Sequence, residues 1–171
     1  PDRGLYFRYP FLRRFPWKKF ATGRGCVHSC AFCFNTQLRE MSGHSGFIRR
    51  KSPARAVAEI EAVAAVAPLK SVHFSDDLFT WRTDWLEDFA DRYPSAVGLP
   101  FTCNSSVELV TAKAVAALAR AGCRGVAIGV ETGDAELRAR ILGKTVTDDQ
   151  IRDAARLIKG AGLELTTFNM L

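Results

Sequence analysis

The sequence predicts an α/β fold in which parallel strands alternate with helices, forming an open sheet or an incomplete (β/α) barrel truncated after the fifth strand. Three observations predict it. Short β-prone runs alternate with segments whose apolar residues recur every three to four positions, which is βαβα order. Five such units at about 30 residues each fill the chain, and 171 residues cannot hold a complete eight-fold barrel. A hydrophobic content of 47% with only 7 prolines is that of a folded chain, which excludes disorder and collagen.

The elements follow in order. Residues 1–17 read as an irregular aromatic and basic arm, and residues 18–171 as the core. KKFATG (18–23) is the first strand. Ser52 before Pro53 opens a helix to about Val66, since serine caps free N–H groups and proline suits the first helical position. KSVHFS (70–75) is the second strand, followed by a helix from Thr83 to Tyr93. LPFTCN (99–104) is the third, followed by a helix from Thr111 to Ala121. RGVAIGV (124–130) is the fourth; Asp134 then opens a short helix and Thr147 a longer one to Lys159. LELTTFNM (163–170) is the fifth strand. Gly122 and Gly160 sit where left-handed C-terminal caps are expected. The apolar periodicity of residues 112–119 and 154–158 marks helix faces packed on the sheet. The chain stops at Leu171 on an apolar strand with no closing helix, so it reads as part of a longer protein.

No apolar run approaches the roughly 20 residues that span a bilayer, and the N-terminus lacks the apolar core of a signal peptide, so a cytoplasmic location is expected. Charge is uneven. Residues 1–51 carry 11 basic side chains against Asp2 and Glu40, whereas residues 52–171 carry 13 against 16. Such a basic excess suits an anionic cofactor, an acidic partner domain or nucleic acid, the last not favoured. The Arg49, Arg50, Lys51 run reads as a solvated face, and Trp81 and Trp85 as core and rim aromatics.

Of the five cysteines, Cys26, Cys30 and Cys33 form a C-x3-C-x2-C pattern on the loop after the first strand, at the end of the sheet where parallel barrels hold their ligands. Three thiolates at such spacing can hold three irons of a cubane and leave the fourth open. Gly23 and Gly25 allow the backbone to turn around a bulky inorganic core, and Phe32 can shield one side of it. The alternative is structural zinc, with Cys103, Cys123, His28, His44 and His73 as possible fourth donors. Cys123, at the opposite end of the sheet, suits a buried small hydrophobe, and Cys103 suits core equally well. His28 reads as solvent-facing, and His44 and His73 receive no role.

The motif C-x3-C-x-aromatic-C, carried by Cys26, Cys30, Phe32 and Cys33, resembles the hallmark of the radical S-adenosylmethionine (radical SAM) superfamily. HFSDDLFT, CNSSVE and AGCRGVAIGVETG recur in the family's order, so the resemblance covers nearly the whole chain. RGCVHSCAFCFN, RRKSP and SDDLFT look most like the cobalamin-binding branch. The resemblance implies a radical SAM core and a 4Fe-4S cluster on the three cysteines, with S-adenosylmethionine chelated at the open iron. Reductive cleavage to a 5′-deoxyadenosyl radical would then abstract hydrogen from a small-molecule substrate. It further implies a one-electron reductant of flavodoxin or ferredoxin type and a cobalamin held by a domain outside this chain. The expected reaction is methylation or rearrangement of an unactivated carbon.

Strand parity selects the other candidates. Val72 and Phe74 face the helices, which leaves His73, Ser75 and Asp77 inward. Asp77 also holds the third position of the family's Gly-Gly-Glu-like motif, whose acid accepts from the cofactor ammonium; the sequence reads Ser75, Asp76, Asp77, leaving open which carboxylate serves. Val126, Ile128 and Val130 likewise face the helices, with Ala127, Gly129 and Glu131 inward. Glu131 falls at the family's ribose-binding position, and Thr132 can assist. Asn104 is a weaker candidate for a cofactor or substrate contact. The bland readings are a turn-capping aspartate, a surface glutamate paired with an arginine and a turn asparagine. Two other functions remain: a tRNA methylthiotransferase-like radical SAM enzyme, and a non-catalytic, metal-stabilised nucleic-acid-binding module.

Overall fold

The computed structural model describes residues 3–43 and 47–170; His44 lies outside the described residues. The arm is not irregular. It forms two short helices, α1 (Gly4–Phe7) and α2 (Pro10–Arg14), the second opened by Pro10 at its first position. The Lys18 ammonium donates to the carbonyls of Leu12, Arg13 and Phe15 at 3.2, 3.2 and 2.6 Å, closing the C-terminal end of α2.

The expected first strand divides in two. β1 (Trp17–Phe20) belongs to the main sheet, whereas β2 (Gly23–Arg24) leaves it to pair antiparallel with β3 (Arg49–Arg50). The division occurs at Thr22, whose N–H and hydroxyl donate to the Asp76 carboxylate at 2.9 and 2.6 Å. Between β2 and β3 lies α3 (Phe34–Met41), a helix that the sequence reading missed.

The remaining elements fall close to expectation: α4 (Pro53–Ala64), β4 (Ser71–Phe74), α5 (Thr83–Ala96), β5 (Phe101–Ser105), a 3-10 turn (Val107–Leu109), α6 (Ala112–Arg120), β6 (Cys123–Glu131), α7 (Ala135–Arg140), α8 (Asp148–Gly160) and β7 (Glu164–Asn169). Ser52, Thr111 and Asp134 cap their helices, and Thr147 forms a reciprocal capping box with Gln150. α5 continues past Tyr93 through Pro94, with the Val97 N–H still donating to the Tyr93 carbonyl. Gly122 takes the left-handed conformation foreseen for it, φ 88°. Gly160 instead ends α8 as a helical residue, and Gly162, with φ 75°, makes the left-handed turn into β7.

The main sheet is parallel, in the order β1-β4-β5-β6-β7. Its helix-facing side carries Val72, Phe74, Phe101, Cys103, Val126 and Ile128, all at most 2% exposed. Phe74 sits at the centre of that core, 4.5 Å from the Phe79 ring, 5.2 Å from Phe101 and 5.5 Å from Phe89. Phe74→Ala is expected to cost about 3–5 kcal/mol, measured by denaturant unfolding. An unchanged unfolding midpoint would remove Phe74 from the centre of the core. The opposite face is polar and small. One row across it runs Lys19, His73, Thr102, Gly125 and Glu164, and the next includes Asn104, Ala127 and Thr166. With Ser75 and Phe168, these rows line a cavity of about 490 Å³. Among the described residues, no helix is long and apolar enough to cross a membrane.

Candidate metal centre

The cysteine loop leaves the sheet at the C-terminal end of β1 and crosses the mouth of the concave face. Gly25, with φ 86°, turns it sharply. A Cβ there would lie 2.8 Å from the Phe47 carbonyl oxygen, so only glycine fits. Beyond the turn, Cys26, Cys30 and Cys33 are half-exposed free thiols. Burial pushes the Cys26 and Cys30 thiols up, and the neighbouring cysteines add to the rise at both. The Lys144 ammonium opposes the rise at Cys30.

The loop is tied to two strand ends and to the segment after α7. The Gly25 N–H donates to Asp77 Oδ2 at 3.2 Å, and Asn35 on α3 donates to Asp77 Oδ1 at 2.9 Å. His28 Nε2 pairs with Ser106 Oγ at 3.0 Å, so this ring is held against the end of β5 rather than facing solvent. The Ala31 N–H donates to the Leu142 carbonyl at 3.0 Å, which ties the loop to the segment after α7.

The two aspartates separate cleanly. Asp76 is 3% exposed and bound by Thr22, while its carbonyl accepts from Asn104 Nδ2 at 3.2 Å. Asp77 belongs to the cysteine loop. Asn104 keeps a buried Oδ1 without a partner and lines the inner cavity. Glu131 ends β6 at φ 70°, and among the described residues no other non-glycine has a positive φ. Its carboxylate folds back over Gly129 to meet Lys144 Nζ at 3.3 Å, with both side chains about 90% buried. The Glu131 partner is thus a buried lysine and not a surface arginine. Thr132 is buried, its hydroxyl accepting from the Asp134 N–H and its carbonyl from Arg138. Phe32, 45% exposed, stands beside Cys33.

Several residues around the loop were not foreseen. Lys144 joins the site by following the left-handed Gly143. Arg50 is not solvated: alternation along β3 turns it inward, its guanidinium 3.7 Å from the Trp85 ring. Burial lowers its pKa to about 10, opposed by the Asp76 charge, and Nε and Nη1 have no partner. Lys51 bonds Glu59 and the Ala21 carbonyl. Arg39 reaches back from α3 over the cysteine loop.

The donor set suits a cubane held by three separate thiolates. An all-sulfur donor set from one short loop is the ligation of iron–sulfur clusters. Of the fourth zinc donors weighed from the sequence, the four that lie among the described residues are placed elsewhere, His28 against Ser106. Cys103 and Cys123 are free thiols buried on the helix face, Cys123 Sγ donating to the Gly125 carbonyl at 3.4 Å, and His73 Nδ1 pairs with Thr102 Oγ1 at 2.9 Å.

No curated protein matches this sequence. Among solved structures, the methyltransferase TsrM from Kitasatospora setae, with a tryptophan substrate and a SAM analogue bound, superposes with a TM-score of 0.71 at 20% identity. The match covers 92% of this chain and 31% of that one. OxsB, a cobalamin-dependent SAM radical enzyme with aqua-cobalamin bound, gives 0.72 at 18% identity, covering 88% and 23%. Methylornithine synthase gives 0.64 at 18%, covering 96% and 46%. The chain therefore spans less than half the length of these structures. The sequence profile of the Radical SAM superfamily matches residues 20–171, and with that match the chain belongs to the radical SAM superfamily.

Proposed function

We propose that this chain is the core of a radical SAM enzyme that binds a 4Fe-4S cluster through Cys26, Cys30 and Cys33 and S-adenosylmethionine at the open iron. The observation that carries the reading is the meeting of three free thiols, Asp77 and the Glu131–Lys144 pair at one end of a parallel sheet. When bound, the cluster supplies the electron that cleaves S-adenosylmethionine to a 5′-deoxyadenosyl radical. The protein's own residues position and enclose. Asp77, fixed by Gly25 and Asn35, presents a carboxylate beside the loop for the cofactor ammonium. Asp76 secures the first bend of the loop from beneath. Lys144, beside Cys30, offers a cation for the cofactor carboxylate, and its departure would release Glu131 to accept from the ribose hydroxyls. Thr132 holds the turn that carries Glu131. Phe32 screens the outer side of the cluster, and Asn104 lines the inner cavity, where a small-molecule substrate would lie.

Similarity to TsrM and OxsB favours the cobalamin-dependent branch, hence methylation or rearrangement of an unactivated carbon. No described residue is assigned to the corrin, and none of the roles above depends on it. The reading also calls for a one-electron reductant and a reducing compartment such as the cytoplasm. Anaerobically reconstituted, dithionite-reduced protein should give a cluster electron paramagnetic resonance (EPR) signal that S-adenosylmethionine alters and Cys30→Ala abolishes. A cluster signal indifferent to S-adenosylmethionine would overturn the reading.

A further inference from the structure

Arg39 lies on α3, six residues beyond Cys33, and its side chain returns across the cysteine loop. Nη2 donates to the carbonyls of Cys26 and of His28, the latter at 2.7 Å, and Nη1 to Ser29 Oγ at 3.1 Å. The Phe47 ring backs the guanidinium at 5.7 Å. One planar fork therefore holds three residues of the loop, Cys26, His28 and Ser29, a geometry that a single ammonium cannot reproduce. Three other cations near the loop face an acid. Lys144 is paired with Glu131, Arg138 with Asp148, and Arg50 feels the charge of Asp76. Among the described residues, no carboxylate forms an ion pair with Arg39. An arginine needed only as a strut could be neutralised in the manner of Arg138; Arg39 keeps its charge on the loop that carries the thiols, against the Cys26 carbonyl.

We propose that Arg39 is a positioning residue with two separable effects: its fork fixes the arc from Cys26 to Ser29, and its uncompensated charge raises the reduction potential of the cluster. The second effect rests on the cluster assignment made above. Reduction adds an electron to a centre already surrounded by thiolates, so a fixed cation stabilises the reduced form more than the oxidised one. Net charge and hydrogen bonding around the sulfurs are the terms by which a protein sets such potentials.

Three proteins separate the two effects: wild type, Arg39→Lys and Arg39→Gln. Hydrogen–deuterium exchange of the cluster-free proteins reads the fork. The His28 and Ala31 amides, which donate to Cys26 Sγ and the Leu142 carbonyl across the arc that the fork fixes, should exchange about tenfold faster in both variants, the loosening expected when a charge-assisted hydrogen bond is removed. An EPR-monitored redox titration of the reconstituted proteins reads the charge. Arg39→Gln should lower the midpoint, and Arg39→Lys should hold it near wild type. An unchanged midpoint in Arg39→Gln at full iron content overturns the electrostatic effect, and unchanged exchange overturns the fork. If Arg39→Gln retains no iron, its apo form still decides the fork, and Arg39→Lys decides the charge: a midpoint far from wild type would overturn it. A wild-type protein that assembles no cluster at all refutes the proposed function instead, and the exchange rates of the cluster-free proteins then decide the fork alone.

Discussion

Replacing Asp76 with alanine is expected to lower the unfolding free energy by about 3 kcal/mol, the loss of two buried hydrogen bonds from Thr22 to a carboxylate. Arg50, held between Trp85 and the Phe79 carbonyl with Nε and Nη1 unpartnered, would also lose the negative charge that opposes its desolvation. The same substitution strips both acceptors from Thr22 and frees the bend that sends the chain from β1 into the cysteine loop. Asp77→Ala should behave differently. It removes the acceptor of the Gly25 N–H and the Asn35 amide, a loss of about 1–2 kcal/mol, while abolishing the effect of S-adenosylmethionine on the cluster signal. Urea unfolding of the cluster-free proteins and EPR of the reconstituted ones read the two outcomes. If Asp77→Ala were the variant that unfolds and Asp76→Ala the one that loses the cofactor response, the two roles assigned by burial would have to be exchanged.

That contrast shows how far the sequence could be read. Parity along β4 placed Val72 and Phe74 toward the helices because alternation is local, and the structure agrees. The cysteine spacing was legible for the same reason: it lies within eight residues of one loop. Asp76 and Asp77 could not be separated, since their difference is made by Thr22, 54 residues away, and by Gly25, 52 residues away. Arg50 was misread as solvated because its burial depends on Trp85, which reaches it only when α5 packs beside α4. Lys144 gave no signal, as a lysine after a glycine resembles any surface turn. What marks it is Glu131, whose positive φ becomes visible only in the folded backbone.

Gly129 is where these long-range terms converge, and Gly129→Ala should disrupt the Glu131–Lys144 pair. In an ordinary strand the change from glycine to alanine is stabilising by roughly 0.5–1 kcal/mol, because alanine loses less backbone entropy on folding. Here the new Cβ would stand 2.3 Å from Glu131 Oε1 and 2.9 Å from Lys144 Nζ. Neither is a tolerable contact. The carboxylate is the mobile end of its side chain and would swing away, breaking the 3.3 Å pair; the ammonium would be forced from the Gly129 carbonyl, which it now meets at 2.7 Å. The sign therefore reverses, to a loss of about 2–3 kcal/mol from a buried, hydrogen-bonded charge pair pulled apart. S-adenosylmethionine should also bind far more weakly, since Glu131 and Lys144 are displaced together, whereas the three thiols on their own loop should still take up iron. Glu131→Gln provides the comparison: it removes the charge without adding an atom, so weakened cofactor binding shared by both variants would locate the cause in the carboxylate. A Gly129→Ala protein as stable as wild type, with an unaltered cofactor response, would mean that the Glu131 carboxylate does not rest over Gly129 in solution.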